Sequence, residues 1–372
     1  MRITTKTQRH EIKQRTDDRG QILIRHPSSV IRRQGFTLIE IVVAIGLMVI
    51  VVLFAGSIFK AGIGSYRTAM AQTEIMQKLR VITQQLDSDF RGLRKDAPMF
   101  IWFQKGTTGP DDANRFDQVM FFADGDFQAT RVPVVGNVAR IYYGQARIYS
   151  PIAGRFVDPT EQVFENAFDR VFNIDHRTLS RRQHISTADT TLLAWPDLAL
   201  TNFDTVRNDS YEYDWISLSQ WQAIANDPTI PLKVQQIINV CFSRPSIDLA
   251  NANAIHLLMA QGVGSFSVQW SYPYTDAAGT HIYWWPSIDP DGNVNFSDSD
   301  FGPADVLDVL NVYSNAAKPG LIWVKPDEVT GTYYPAAKPT YPQALKFTFA
   351  IYDSRGVFRD GQTFTHIVYL SE

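Results

Sequence analysis

The chain has 372 residues, enough for about two domains, and its 45% hydrophobic, 20% charged and 12% aromatic content excludes a disordered tail, a collagen-like chain and a polytopic membrane protein. The net charge of −3 conceals an asymmetry, because nine Lys or Arg stand against three Asp or Glu in the first 35 residues; that arm carries +6 and the remainder −9. An acidic body points away from nucleic acid as a partner, and the single cysteine, Cys241, excludes an intrachain disulfide framework and multi-cysteine metal sites.

The first informative segment begins at Arg32 and Arg33. Gly35-Phe36-Thr37-Leu38-Ile39-Glu40 is followed by 19 residues, Ile41 to Phe59, without a charge before Lys60. About 20 apolar residues let a helix cross a hydrocarbon layer of ~30 Å. The basic arm then stays cytoplasmic and the body is exported. A cleaved secretory signal would have a shorter apolar run followed by an A-x-A-like site. Glu40 is the odd feature, an acid at the cytoplasmic edge of the run, where an ionisable group is costly and calls for a partner.

Gly35 to Glu40, with its basic flank and uncut apolar run, resembles the processing site of the type IV pilin and type II secretion pseudopilin superfamily. The resemblance implies that a prepilin peptidase cuts after Gly35 and methylates the new N-terminus at Phe36, and that Glu40 receives the N-terminal charge of a neighbouring subunit. Residues 1–35 are then a cleaved cytoplasmic leader. A start at Val30 would shorten that leader to six residues, in keeping with the short leaders usual in the family. A plain membrane anchor has no need of the Gly35 to Glu40 arrangement.

The helical pattern continues past the membrane. No proline occurs between Pro27 and Pro98, and Tyr66, Met70, Ile75, Leu79, Ile82, Leu86, Phe90 and Leu93 place apolar residues at largely helical spacing. The expected helix runs from Phe36 to Leu93, with residues 36–60 as the transmembrane or assembly half and 61–97 as the amphipathic half. Gly46, Gly56, Gly62 and Gly64 are soft points, either close-packing sites or hinges. Part of the stripe should pack on the body's sheet, leaving Tyr66 and Met70 for partner helices.

After Pro98 the helical period gives way to short β-rich runs, and all eight tryptophans lie between residues 102 and 323. Strands are predicted at 118–122, 138–143, 265–270, 281–285, 345–352 and 363–370. The last two form a hairpin whose first strand places Leu345, Phe347, Phe349 and Ile351 on one face. Residues 150–253 are the least regular and read as an insertion, with helices predicted at 163–172 and 217–225 and a short strand at 180–187. The fold class is α+β: a long N-terminal helix, half membrane and half amphipathic, packed on an antiparallel sheet domain over 98–372.

Within that body, Ala260 to Trp270 followed by Tyr283-Trp284-Trp285-Pro286 looks like the paired strands of minor pseudopilins of the J type. Gln85 to Arg91 closing the helix, and Pro342 to Phe347 before the final strand, are similar to the same group. The resemblance implies a minor pseudopilin of a periplasmic pseudopilus. Its partners would be other pseudopilins, prepilin peptidase and the bacterial inner membrane, with the C-terminal domain periplasmic; minor pilins of type IV pili share these features.

The competing class is a membrane-tethered exoplasmic enzyme or binding module. H-E-x-x-H, G-x-S-x-G and a Walker loop are absent, and Gly62 to Arg67 lacks the third glycine of a dinucleotide fingerprint. Ser57 and Lys60 match S-x-x-K by spacing alone. Asp175, His176 and His184 are the best acid–base candidates, and scattered packed or surface histidines explain them better. Asp289, Asp291 and Asn293, with Asn295, Asp298 and Asp300 beyond, form an oxygen-rich loop suited to calcium, although an Asp-Gly turn between strands accounts for it and it is not an EF-hand. The sequence thus predicts a non-enzymatic protein with no cofactor and no small-molecule substrate.

Overall fold

The computed structural model describes residues 35–102, 104, 115–129, 133–150, 154–159, 164–166, 169–170, 177–188, 212–214, 217–225, 244–247, 258–276, 279–285, 320–323 and 342–370. Helix α1 spans Leu38–Arg91, two residues shorter at each end than the apolar pattern predicts. The backbone divides between Gly62 and Ile63 into two compact units.

In the second unit, α1 buries Ala71, Ile75, Ile82, Leu86, Asp89 and Phe90, with Leu79 partly buried among them. Its end is set by Gly92. The Gly92 N–H donates to the Asp89 carbonyl, and its own carbonyl accepts from the Asp124 N–H at 2.7 Å. A Cβ on Gly92 would stand 2.0 Å from the Asp124 oxygen, so no other residue fits without moving the strand. Leu93 then bridges to Ala123, tying the helix terminus to the sheet.

The strands in chain order are β1 (Met99–Trp102), β2 (Gln118–Gln128), β3 (Val135–Gln145), β4 (Arg147–Ser150), β5 (Arg155–Val157), β6 (Phe164–Asn166), β7 (Asp169–Arg170), β8 (Thr178–Ser186), β9 (Tyr213–Asp214), β10 (Ser246–Ile247), β11 (Leu258–Gln261), β12 (Val263–Asp276), β13 (Gly279–Trp285), β14 (Gly320–Trp323), β15 (Ala344–Ile351) and β16 (Gln362–Tyr369), with helix α2 (Leu218–Ala225) between β9 and β10. One sheet has the order β11-β8-β3-β2-β1-β14 with β9 beside β8, and a second has the order β13-β12-β15-β16. Pairing is antiparallel except where β9 joins β8 and β10 joins β4. The architecture is therefore α+β and pilin-like, one long N-terminal apolar helix with a mostly antiparallel sheet domain.

The predicted strand pairs are present. Trp270 lies opposite Trp285 in the β12–β13 pair, and Phe349 opposite Phe364 in the β15–β16 hairpin. Leu345, Phe347, Phe349 and Ile351 are all buried, as their period-2 spacing requires. Among the described residues of the helix predicted at 163–172 no helix is formed; they are the paired strands β6 and β7. Phe164 and Phe168 sit four apart there, which imitates a helical face, but cross-strand pairing takes precedence over so short a pattern.

Both faces of β2 are covered, which explains why Val119 to Ala123 is an unbroken buried run rather than an alternating one. On one face Phe121 stacks on Phe90 of α1 with ring centroids 4.0 Å apart. On the other, Phe122 packs on Trp221 of α2 at 5.5 Å. Trp221 is fully buried, and its indole N–H donates to Asp214, which also pairs with Arg140 at 2.7 Å. The stretch read as an insertion thus supplies part of the main core.

The two sheets meet at residues 115–117. Phe116 bridges Phe266 of β12 in parallel, and the buried Asp117 carboxylate accepts from Arg115, from the Gln104 N–H and from the Val268 N–H. Burial pushes the Asp117 carboxyl above its ordinary value, against the pull of Arg115 and the two amides. The chain steps from β11 in one sheet to β12 in the other through Gly262, whose φ of 75° is a left-handed turn suited to glycine. Phe90 also contacts Phe347 of β15 at 5.5 Å, so the end of α1 closes over the join.

Candidate assembly segment

The helix starts on a capping box. The Thr37 N–H donates to Glu40 Oε2 at 2.9 Å and its hydroxyl to the same oxygen at 3.0 Å, while the Glu40 N–H reaches back to the Thr37 hydroxyl at 3.3 Å. Two donors left over by the first turn are thereby satisfied reciprocally. Thr37-x-x-Glu40 ahead of an apolar run is legible in sequence as this signature, although the membrane and processing reading draws attention to Glu40 and away from Thr37. Both bonds to the carboxylate fall on Oε2, leaving Oε1 without a donor among the described residues.

Beyond Glu40 the helix is apolar on all sides. Its most apolar 18-residue window has no residue buried, and the helix is long and apolar enough to cross a membrane. Phe36 is 82% exposed, and Leu47, Val51, Phe54 and Phe59 are exposed on successive turns. Taking each such side chain out of water is worth about 1.5–3 kcal/mol, so a segment of this kind requires lipid or other helices around it. The helix runs through Gly46, Gly56, Gly62 and Gly64 without a break, and a Cβ at any of them would meet nothing. Ser57 donates its hydroxyl to the Phe54 carbonyl at 2.8 Å, so the S-x-x-K spacing does not place it against Lys60.

In the second unit, Tyr66 is 63% exposed and Met70 40%, whereas Ala71 and Ile75 are buried. The sequence expectation leaves Tyr66 and Met70 outside the fold, and periodicity did not point to Ala71 as a buried position beside them. It also passed over Asp89, a charged residue on the buried face. Arg181 grips the Asp89 carboxylate with two bonds of 2.6 and 2.8 Å, Gln85 donates to it at 3.0 Å, and the Tyr143 hydroxyl donates to its second oxygen. Burial, with the Asp89 charge beside it, pushes the Tyr143 phenol well above its ordinary value. This cluster anchors the last turns of α1 to β3 and β8.

No group of three or more His, Cys, Asp or Glu that could hold a metal occurs among the described residues. The calcium candidates Asp289, Asp291 and Asn293 lie outside them, as do Cys241, Asp175 and His176. His184 is buried on β8 opposite Arg140.

Residues 31–56 match the model of the prokaryotic N-terminal methylation motif. No curated protein and no solved structure matches the chain. The motif is that of prepilin-type proteins of the type IV pilin and pseudopilin superfamily; it implies processing by prepilin peptidase and assembly with pilin-like subunits. Together with the single long apolar helix, it fits a single-pass anchor in the inner membrane.

Proposed function

We propose that the protein is a minor pseudopilin, most like the J type, a non-enzymatic subunit of the pseudopilus of a type II secretion system. The carrying observation is a methylation-type motif heading an apolar helix with no residue of its central window covered, in a helix that continues as the spine of a β-rich body. In this reading prepilin peptidase cuts between Gly35 and Phe36 and methylates Phe36, the apolar half holds the subunit in the inner membrane until assembly, and the body is periplasmic. The amine of a neighbouring Phe36 then pairs with Glu40 through the oxygen that the capping box leaves open. An unpaired charge in low dielectric is costly, so this pair also fixes axial register.

Mass spectrometry of the mature protein should find N-methylated Phe36 at its start, and Gly35→Ala should retain the leader. Glu40→Val should insert and be cleaved yet fail to join the assembly. An intact leader in cells containing the peptidase would refute the processing step. Wild-type incorporation of Glu40→Val would remove the role given to Glu40. Loss of secretion with pili intact in a deletion strain is the expected phenotype; the reverse phenotype would make the protein a minor pilin.

A further inference from the structure

We propose that the free edge of β16, with the groove beside it, docks an extended acidic segment of a partner protein by strand addition. The site stands apart from the membrane helix and holds whether or not the chain enters a filament. β16 is the last strand of its sheet, and among the described residues nothing pairs on its outer side. The phase of its bonding follows from the neighbours: the Leu370 N–H donates to the Gln343 carbonyl, and across β15 the Tyr352 N–H donates to Gly262. Antiparallel alternation then directs the backbone groups of Gln362, Phe364, His366 and Val368 to β15, leaving those of Thr363, Thr365 and Ile367 on the open edge. Natural edge strands are protected by lysine, proline or a bulge. Gln362–Tyr369 contains no lysine or proline, and its register with β15 has no shift.

What lies beyond the edge is shaped to receive a strand. A groove of about 890 Å³ runs between β16 and α1, with Met76, Leu79 and Arg80 on the helix side and Phe364, Thr365 and His366 on the strand side. Alternate side chains of an added strand would meet the apolar surface of Met76 and Leu79. The charge selects the partner. His366 already occupies Asp87 at 2.7 Å, whereas Arg80 is exposed and its guanidinium has no partner among the described residues. The open charge facing the groove is therefore positive, which calls for a carboxylate on the incoming segment. A second copy of β16 would not supply one, since Gln362–Tyr369 carries no acidic residue.

The test uses the full chain in detergent micelles and fluorescence anisotropy with a labelled eight-residue peptide of alternating Val and Thr bearing one central Glu. It should bind at least tenfold more tightly than the same peptide with Lys, and Arg80→Glu should reverse that order. Thr365→Pro, which removes one edge N–H, should abolish binding with an unchanged melt. Methylating alternate backbone amides of the Glu peptide should weaken binding at least tenfold, a readout that leaves the protein untouched. No measurable binding of either peptide, equal binding of the Glu and Lys forms, or equal binding of the methylated and unmodified forms would overturn the proposal. A concentration-dependent dimer abolished by Thr365→Pro would also overturn it, by giving the edge to a second copy.

Discussion

The two halves of α1 obey the same backbone rules and use apolar residues in opposite ways. In the first unit the side chains are apolar around the whole circumference and none in the central window is covered. In the second unit a stripe one face wide is buried, with Gln, Thr and Arg residues on the other side. The difference teaches that the first half is built for an apolar environment outside its own fold. The second half has found its apolar environment within the domain. Glycine placement follows the same division. Gly46, Gly56 and Gly62 of the first unit, and Gly64 just past the division, have open space where a Cβ would stand, while Gly92 at the far end is in backbone contact with Asp124.

The comparison breaks most sharply at the buried end. Phe90→Ala should cost about 3–5 kcal/mol, because Phe90 fills the space between Phe121 and Phe347. Leu86→Asp should unfold the body. Val51→Ala, made where the side chain is exposed, should leave the melt of the detergent-solubilised chain unchanged. Equal melts for Phe90→Ala and Val51→Ala would erase the distinction.

Asp89→Ala comes next, at about 3 kcal/mol, since it strands the Tyr143 hydroxyl in a buried position and leaves the partly buried Arg181 guanidinium without its carboxylate. Denaturant unfolding should show it. The double variant Asp89→Ala with Arg181→Met should recover part of the loss, which a simple packing defect would not do.

Tyr66→Glu and Met70→Glu probe the point where the two regimes meet. Both side chains are exposed, so the melt should shift by less than about 0.5 kcal/mol. If this surface serves partner helices, co-purification with pilin-like subunits should fall. Unaltered co-purification would place the partner contact elsewhere on the helix.

The smallest expected effect is a pH dependence. Glu74 accepts from Lys78 at 2.8 Å and from the N–H and hydroxyl of Ser354. Partial burial opposes ionisation, but these donors outweigh it and hold the Glu74 carboxyl below its ordinary value. Asp353 is held low in the same sense by the N–H groups of Arg355, Val357 and Phe358, which outweigh its burial. A carboxyl lowered on folding adds stability that is complete above the unfolded value, near pH 4, and disappears as pH falls through the folded value. Glu74→Gln should therefore lower the melting temperature modestly at pH 7 and by less at pH 3. An equal deficit at both pH values would assign the effect to packing.

Sequence alone made the N-terminal architecture legible. Nineteen uncharged residues behind Gly35 to Glu40 leave one physical solution, a helix that satisfies its own backbone in an apolar medium, and the motif match over residues 31–56 agrees. The strands around Phe121, Phe347 and Phe364 were legible for a related reason, because local alternation and turn residues encode them. Tertiary structure alone decided that Ala71 and Asp89 belong on the covered face of the helix, and that Trp221 closes the second face of β2 from about a hundred residues away. It also decided that Phe164–Asn166 pairs with Asp169–Arg170 as strands, against the helical spacing of the segment. Periodicity reports what a segment can do with its neighbours in the chain; burial, ion pairing and strand pairing depend on partners far away in sequence, and their energies exceed the few tenths of a kcal/mol by which local propensities differ.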